Sequence, residues 1–422
     1  MKKKFIKLYD KFMSASGGLG LSREFKVVTF VHVLLMLGIS LSSVFISVFL
    51  FKMNGSDYVL TAKYNAYLFF FEGLTFILCL YFYKYLSVVK TMQIGLCVYS
   101  LSYIILLIFR NDIINYYIIV AALSSTGAGL YWTGYYLMTN VHTTPENRQR
   151  ALGFNGICCY IVSIIASPIS GFITSTFEGM TGYIIVFGVT IIAYLIAAFY
   201  IKDVPYISTE RYNFNFHNSF KYILKTKATR LIYISETFRG IRLGMTFYYT
   251  PILLYSITSN EFILGIALML KNLSSILSCN YMKTIKTAHR RFVSTAILLG
   301  IEIVTLFILI ANRETNLMVY LAFFYCSFYV IVEIIGMNLS QIPLFETMIL
   351  LKRHCGTDRE FMGVRQLLFN GGRTFGVIVL LFLPTEPIYQ LIAICTSSVV
   401  AFIAACICNK GAKLVSEEVA NG

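Results

Sequence analysis

Twelve apolar runs follow one another through this chain, most of them about 20 residues or longer, the length that crosses the hydrocarbon core of a bilayer. They lie near 26–51, 64–83, 91–109, 114–139, 152–173 and 181–201, then near 229–257, 261–282, 292–311, 316–342, 362–383 and 387–408. Inside lipid every backbone N–H and C=O has to be paired within its own segment, so such runs fold as helices. A membrane β-barrel would show segments of roughly ten residues with alternating polarity, and the sequence contains none. Hydrophobic residues make up 57% of the chain and charged residues 13%. Soluble domains carry roughly 45–50% and about 25% respectively, so the apolar surplus here exceeds what one core can bury. The expectation is an all-α polytopic membrane protein of about twelve transmembrane helices.

The charges report the orientation. With the N-terminus placed in the cytoplasm, 26 of the 35 Lys and Arg residues fall in inside segments and four (Lys52, Lys63, Arg110 and Arg313) in outside segments. That asymmetry satisfies the positive-inside rule with an even number of spans and both termini cytoplasmic, in the cell membrane. The net charge of +15 is therefore a topology signal. Its distribution over many short loops argues against a nucleic-acid surface. Residues 1–25 are polar and basic, and the run that follows exceeds the apolar core of a secretory signal peptide, so no cleavage is expected. The ten cysteines fall largely within the apolar runs, as Cys158, Cys159, Cys406 and Cys408 do, and read as packing residues. No cofactor and no metal site are expected.

Residues 202–228 form the longest internal polar stretch and divide the chain into an N-terminal six-helix bundle (1–201) and a C-terminal one (229–422). Asn215 to Lys227 reads as a short amphipathic helix on the cytoplasmic face. The halves echo each other. A shift of 202 positions lays Gly38, Ile39, Leu41 and Phe45 on Gly240, Ile241, Leu243 and Phe247, and the loop PENRQRALGFNG has a counterpart in TDREFMGVRQLL. Repeated halves of this kind are common in transporters.

With six runs on each side of a basic central loop, the chain resembles the major facilitator superfamily over nearly its whole length. The family's motif between the second and third helices falls here on YFYKYLSVVKTMQIG, which keeps Lys84 and Lys90 and lacks the aspartate and first glycine. Its counterpart, NYMKTIKTAHRRF, keeps Arg290 and Arg291. The exporter branch carries a glycine-proline motif in the fifth helix. Ser163, Ser167-Pro168 and Gly171 stand at corresponding spacings, with serine replacing two glycines. The fourth-helix arginine of many proton-coupled members is absent from ALSSTGAGLYWTG. The resemblance implies alternating access about a central site lined by the first, fourth, seventh and tenth helices. It implies a small-molecule substrate, with protons or another coupling ion, in a monomer surrounded by membrane lipids. Proton-coupled export of a small amphiphilic or anionic compound is expected, with uptake or lipid flipping by the same fold as alternatives. Small residues and a proline bend in the fifth helix also suit ordinary close packing.

Charges within the runs mark the candidate site, because a charge at mid-bilayer costs at least roughly 2.5–3.5 kcal/mol and needs a partner, water or a function. The seventh run carries Glu236, Arg239 and Arg242, which span about 120° of a helix and can face one cavity. Glu236 is placed to pair with Arg239 at i,i+3. Arg242 then has no acid on its own helix and reads as an anion site, the rival being an ion pair with an acid from another helix. Lys271 with Glu302, and Glu333 with Arg373, are expected pairs. Trp132, the only tryptophan, is expected to line the cavity, although packing explains it as well. Glu72 stands alone in FFFEGLTF and is the expected proton-coupling residue; His32 is a weaker candidate. No phosphate loop, GxSxG or HExxH is present. His354 and Asp358 give an HxxxD spacing in a short loop, the only trace of enzyme chemistry. A membrane enzyme stays as the second class, and no catalytic residues are assigned.

Overall fold

The structure, a computed structural model, describes residues 21–420 apart from Ser56, 83–84, Thr144, Glu178, Asp203, 206–215, Lys283, Lys286, 356–359 and Thr385. Asp358 of the HxxxD spacing, Lys84, and most of the central polar stretch lie outside the described residues. Among the described residues there are thirteen α-helices and no strand. The first six are α1 (Arg23–Met53), α2 (Tyr58–Phe82), α3 (Val88–Ile108), α4 (Ile113–Val141), α5 (Pro145–Thr176) and α6 (Thr181–Ile201). The short α7 (Phe216–Lys225) matches the expected amphipathic segment. The second six are α8 (Lys227–Thr258), α9 (Glu261–Met282), α10 (Ala288–Ala311), α11 (Leu317–Cys355), α12 (Glu360–Leu381) and α13 (Pro387–Ala420).

Polar residues at the edges of the apolar runs start the helices. The Ser22 hydroxyl accepts from Phe25 N at the head of α1, and Ser87 and Thr287 do the same for α3 and α10. Asn260 Oδ1 accepts from Phe262 N and Ile263 N at the head of α9. These caps satisfy donors that a helix start leaves unpaired. Two helices outrun their apolar cores. α11 continues past 342 to Cys355 and α13 past 408 to Ala420. Their ends pack with α7 and the start of α8, where Ile223, Ala228, Ile232, Leu351 and Val415 form a buried cluster. Hydropathy falls along these extensions, yet each still has an apolar stripe to bury.

Among the described residues, ten of the long helices contain a stretch long and apolar enough to cross a membrane. The two that fall short are α8 and α12, because of the charges they carry.

The two sets of six pack by the same rule. α1 lies on α5 and α6, α3 on α4 and α6, and α2 on α4. Correspondingly, α8 lies on α12 and α13, α10 on α11 and α13, and α9 on α11. Between the sets the main seams are α2 on α12 and α5 on α9, which are equivalent contacts under the same correspondence. At the α5–α9 seam Gly171 faces Gly265. A Cβ on Gly171 would stand 2.5 Å from the Glu261 carbonyl, so only glycine permits this approach. A salt bridge between Lys52 of α1 and Glu261 of α9 also joins the sets, and Tyr183 donates to the same carboxylate at 3.2 Å.

Candidate functional site

Four glycines bring the backbones of α8 and α12 into contact. Any Cβ on Gly240 or Gly244 would collide with the backbone at Phe369 and Arg373, and any Cβ on Gly372 or Gly376 with the carbonyls of Thr237 and Ile241. Small residues are how helices approach this closely where lipid supplies no hydrophobic drive. The consequence is chemical: Glu236, Arg239 and Arg242 of α8 are held against Arg365 and Arg373 of α12.

Six of these charges and their neighbours form one network. Arg239 Nε donates to Glu236 Oε1 at 3.0 Å, and Arg365 Nε donates to Glu236 Oε2 at 2.7 Å. Arg239 reaches Glu333 of α11 through Nη1. Arg242 Nη1 donates to the other Glu333 oxygen at 2.9 Å, and its Nη2 lies 2.8 and 2.9 Å from the two oxygens of Glu302 on α10. Tyr325 donates to Glu302 at 3.3 Å. Three arginines thus face three carboxylates, almost all of them buried. Charges out of water are tolerable only when paired and hydrogen-bonded to this degree.

A second ion pair crosses between the sets. Arg373 Nη1 donates to Glu72 Oε2 of α2 at 3.1 Å and to Asn370 Oδ1 at 2.8 Å. The guanidinium carbon lies 3.6 Å from the centre of the Phe69 ring, with Phe247 and Phe369 at 5.6 and 5.7 Å. Cation–π contact at this range contributes about 0.5–2 kcal/mol.

On α1 and α4 a set of aromatic rings packs together. His32 stacks on Tyr135 with ring centres 4.0 Å apart, its Nδ1 lies 3.2 Å from Tyr131 Oη, and Trp132 stands edge-on at 5.0 Å. Tyr136 extends the group past Trp132 at 6.0 Å. It is exposed and within electrostatic reach of Arg365 and Glu72, which sets it beside the charged residues.

Several expectations are corrected here. Arg242 is not an unpaired guanidinium: two acids from other helices hold it, which is the rival ion-pair reading. Glu302 takes Arg242 rather than Lys271, and Glu333 takes Arg239 and Arg242 rather than Arg373. Glu72 does not stand alone, since Arg373 reaches it from the other set. The expected Glu236–Arg239 pair is present. Lys271 lies over the Tyr329 ring at 5.6 Å, with no carboxylate partner among the described residues. Arg365 and Tyr136 received no role from the sequence. The signal for Arg365 was available: it is one of five basic residues inside the runs, on a helix too charged to qualify by hydropathy alone. Among the described residues no cluster suited to a metal ion occurs.

Comparison with known proteins follows this geometry. The family model of the Major Facilitator Superfamily matches residues 28–377. A Bacillus subtilis (strain 168) protein, YqgE, is 22% identical over 357 residues, covering 82% of this chain and 79% of that protein. A Geobacillus stearothermophilus protein from the sodM 3' region is 27% identical over 176 residues, 42% of this chain and 82% of that protein. Among solved structures, the POT family transporter PepTSo superposes with a TM-score of 0.70 at 10% identity, covering 94% of this chain and 98% of its own. The D-xylose-proton symporter gives 0.69 at 13%, covering 92% and 98%. The nucleoside transporter NupG gives 0.66 at 15%, covering 92% and 99%. At these identities the structures share the fold with this chain and nothing finer.

Proposed function

Because this chain belongs to the Major Facilitator Superfamily, and is a multi-pass membrane transporter rather than an enzyme, we propose that it is a proton-coupled secondary transporter that exports a small amphiphilic compound by alternating access. The halves 1–201 and 229–422, joined by 202–228, rock about a site at mid-membrane. The observation that carries this reading is an exposed aromatic ring set beside a charged layer. Tyr136, exposed beside Trp132, lies within electrostatic reach of Arg365 and Glu72, with His32 buried behind the two rings. An amphiphile stacks its apolar face on the ring and hydrogen-bonds its polar end to the charged layer.

The Glu72–Arg373 pair gives coupling a mechanical sense. It is the ion pair that joins the halves within the charged layer, so opening the α2–α12 seam has to break it. A proton on Glu72 breaks it directly; a proton elsewhere has to act through Arg373. The outward direction is read from α5, whose Ser167-Pro168 and Gly171 face α9 at the position of the exporter motif.

One observation favours a second reading, uptake of an anion. Away from their ends, the apolar runs carry five cations (Arg239, Arg242, Lys271, Arg365 and Arg373) and four carboxylates (Glu72, Glu236, Glu302 and Glu333). A substrate carboxylate or phosphate would balance Lys271.

The experiment is a ligand-stabilisation screen on the purified protein, followed by flux in liposomes under an imposed pH gradient. Amphiphiles that raise the unfolding temperature, with flux that follows the gradient, are expected. Stabilisation confined to small anions favours the second reading, and flux indifferent to the gradient overturns proton coupling.

A further inference from the structure

We infer that Lys52 and Glu261 form a latch that holds the two halves shut on the side that loop charge places outside, and that external salt loosens it. The inference rests on the alternating-access part of the reading above, and on neither its substrate nor its coupling ion.

The latch joins two helix ends of opposite polarity. Lys52 stands in the last turn of α1 and Glu261 in the first turn of α9. Backbone dipoles favour a cation at a helix C-terminus and an anion at an N-terminus. The ammonium bonds to Glu261 Oε1, and Tyr183 at the start of α6 donates to the same oxygen at 3.2 Å. The rings of Tyr183 and of Tyr255 on α8 are centred 5.5 and 5.6 Å from the ammonium. Four helices thus converge on one pair, α1 and α6 from the first half and α8 and α9 from the second.

Beside the pair the halves close with aromatic rings. Phe51 of α1 meets Tyr58 of α2 at 5.2 Å and Tyr255 at 6.2 Å, and Tyr58 meets Tyr249 of α8 at 5.4 Å. Tyr58 also donates to Ser256 Oγ at 3.4 Å. A cleft of about 680 Å³ stops at Phe51, Tyr58 and Tyr255, all buried, and has the exposed Arg313, Glu314 and Glu386 on its other side. Elsewhere the halves stand apart: α1 packs on α8, whereas among the described residues α4 and α11 do not pack along each other.

The pair is built unevenly. The Glu261 side chain is 7% exposed and that of Lys52 41%. Losing Lys52 leaves a buried carboxylate with no counter-charge among the described residues, so the closed state depends on the pair. The ammonium, however, is open to the outer solution. The screening length there falls from about 8 Å at 0.15 M salt to about 3 Å at 1 M, which weakens the attraction and favours the separated, hydrated ions.

The test uses the full chain in lipid nanodiscs, with hydrogen–deuterium exchange read by mass spectrometry, and needs neither substrate nor gradient. Glu261→Gln and Lys52→Met should each speed exchange several-fold at 46–60 and 249–263. Neither should speed it at the far end of the α5–α9 seam, around Tyr160 and Cys279. Tyr183→Phe removes one hydrogen bond and no charge, and should act in the same direction by less. In the wild type, sodium chloride at about 1 M should speed exchange in the same two segments where sucrose of equal osmolality does not. Both charge variants should have lost that response. Wild-type rates in both variants, or a salt response that survives in them, overturns the latch. So does faster exchange throughout the molecule with a lower unfolding temperature, the mark of a pair that only supports the fold. Flux under a pH gradient is a separate measurement, so the latch and the export reading fail independently.

Discussion

Arg242 shows what can and cannot be read from a sequence one residue at a time. Its depth in the membrane follows from its place in the seventh apolar run, and with it the need for a counter-charge. Which acid answers depends on how α8 is rotated and on which helices flank it, and neither is encoded within α8. Glu302 and Glu333 were visible as buried acids and were assigned to Lys271 and Arg373. Depth on neighbouring helices matched, but azimuth did not. Among the described residues Arg242 is the sole basic partner of Glu302, whose side chain is fully buried. Removing one member of a buried pair costs about 3–5 kcal/mol, because the other charge is left uncompensated. Arg242→Ala is therefore expected to lower the unfolding temperature of the purified protein sharply. Arg242→Ala combined with Glu302→Gln should recover most of the loss. A folded, fully stable Arg242→Ala protein would remove the ion-pair role and restore the anion site.

At the scale of elements, the helices that sequence patterning defines least well are those that carry the chemistry. α8 and α12 fail a simple apolarity test because of the arginines and glutamates they hold, while the remaining long helices pass it. Two seams between the halves then set how the molecule opens. The α2–α12 seam is tied by Glu72 and Arg373, whose guanidinium rests on Phe69. Glu72→Gln removes the charge and leaves Arg373 its Asn370 contact, so the protein should fold. Spin-label distances between α2 and α12 should then spread toward longer values; an unchanged distribution would mean that the pair does not hold the halves. The α5–α9 seam depends instead on the absence of side chains. Gly171→Val would drive two methyl groups against the Glu261 carbonyl and Gly265. It should separate α5 from α9 and raise the accessibility of Tyr160 and Cys279, which meet at 3.9 Å further along the same seam. Thiol-labelling of Cys279 measures this directly, and labelling at the wild-type rate would show that the seam closes without the glycine contact.

For the molecule as a whole, the twelve runs already contained the fold. The observed long helices overlap every expected run, and the ones at 181–201 and 261–282 begin and end where expected. What the runs lacked was the set of contacts. The correspondence of α1–α6 with α8–α13 is faint in the residues, resting on Gly38 and Gly240 and a few neighbours, and plain in which helix packs on which. Orientation in the membrane is a separate matter, because helix contacts do not say which face is cytoplasmic and the loop charges do. Lys352 and Arg353 are exposed at the end of α11, and Lys410 and Lys413 follow the apolar core of α13. Each would have to cross or face the opposite surface if the molecule were inverted. Reporter fusions at Asn54, Glu178 and Pro387 are accordingly expected to lie outside the cell, and those at His217 and Gly422 inside. Every fusion site is separated from the next by an even or odd number of long helices that fixes its side. A cytoplasmic signal at Glu178 alone would mean that α6 and one of α2–α5 do not cross. Reversal of all five signals would keep the fold and invert the direction of transport.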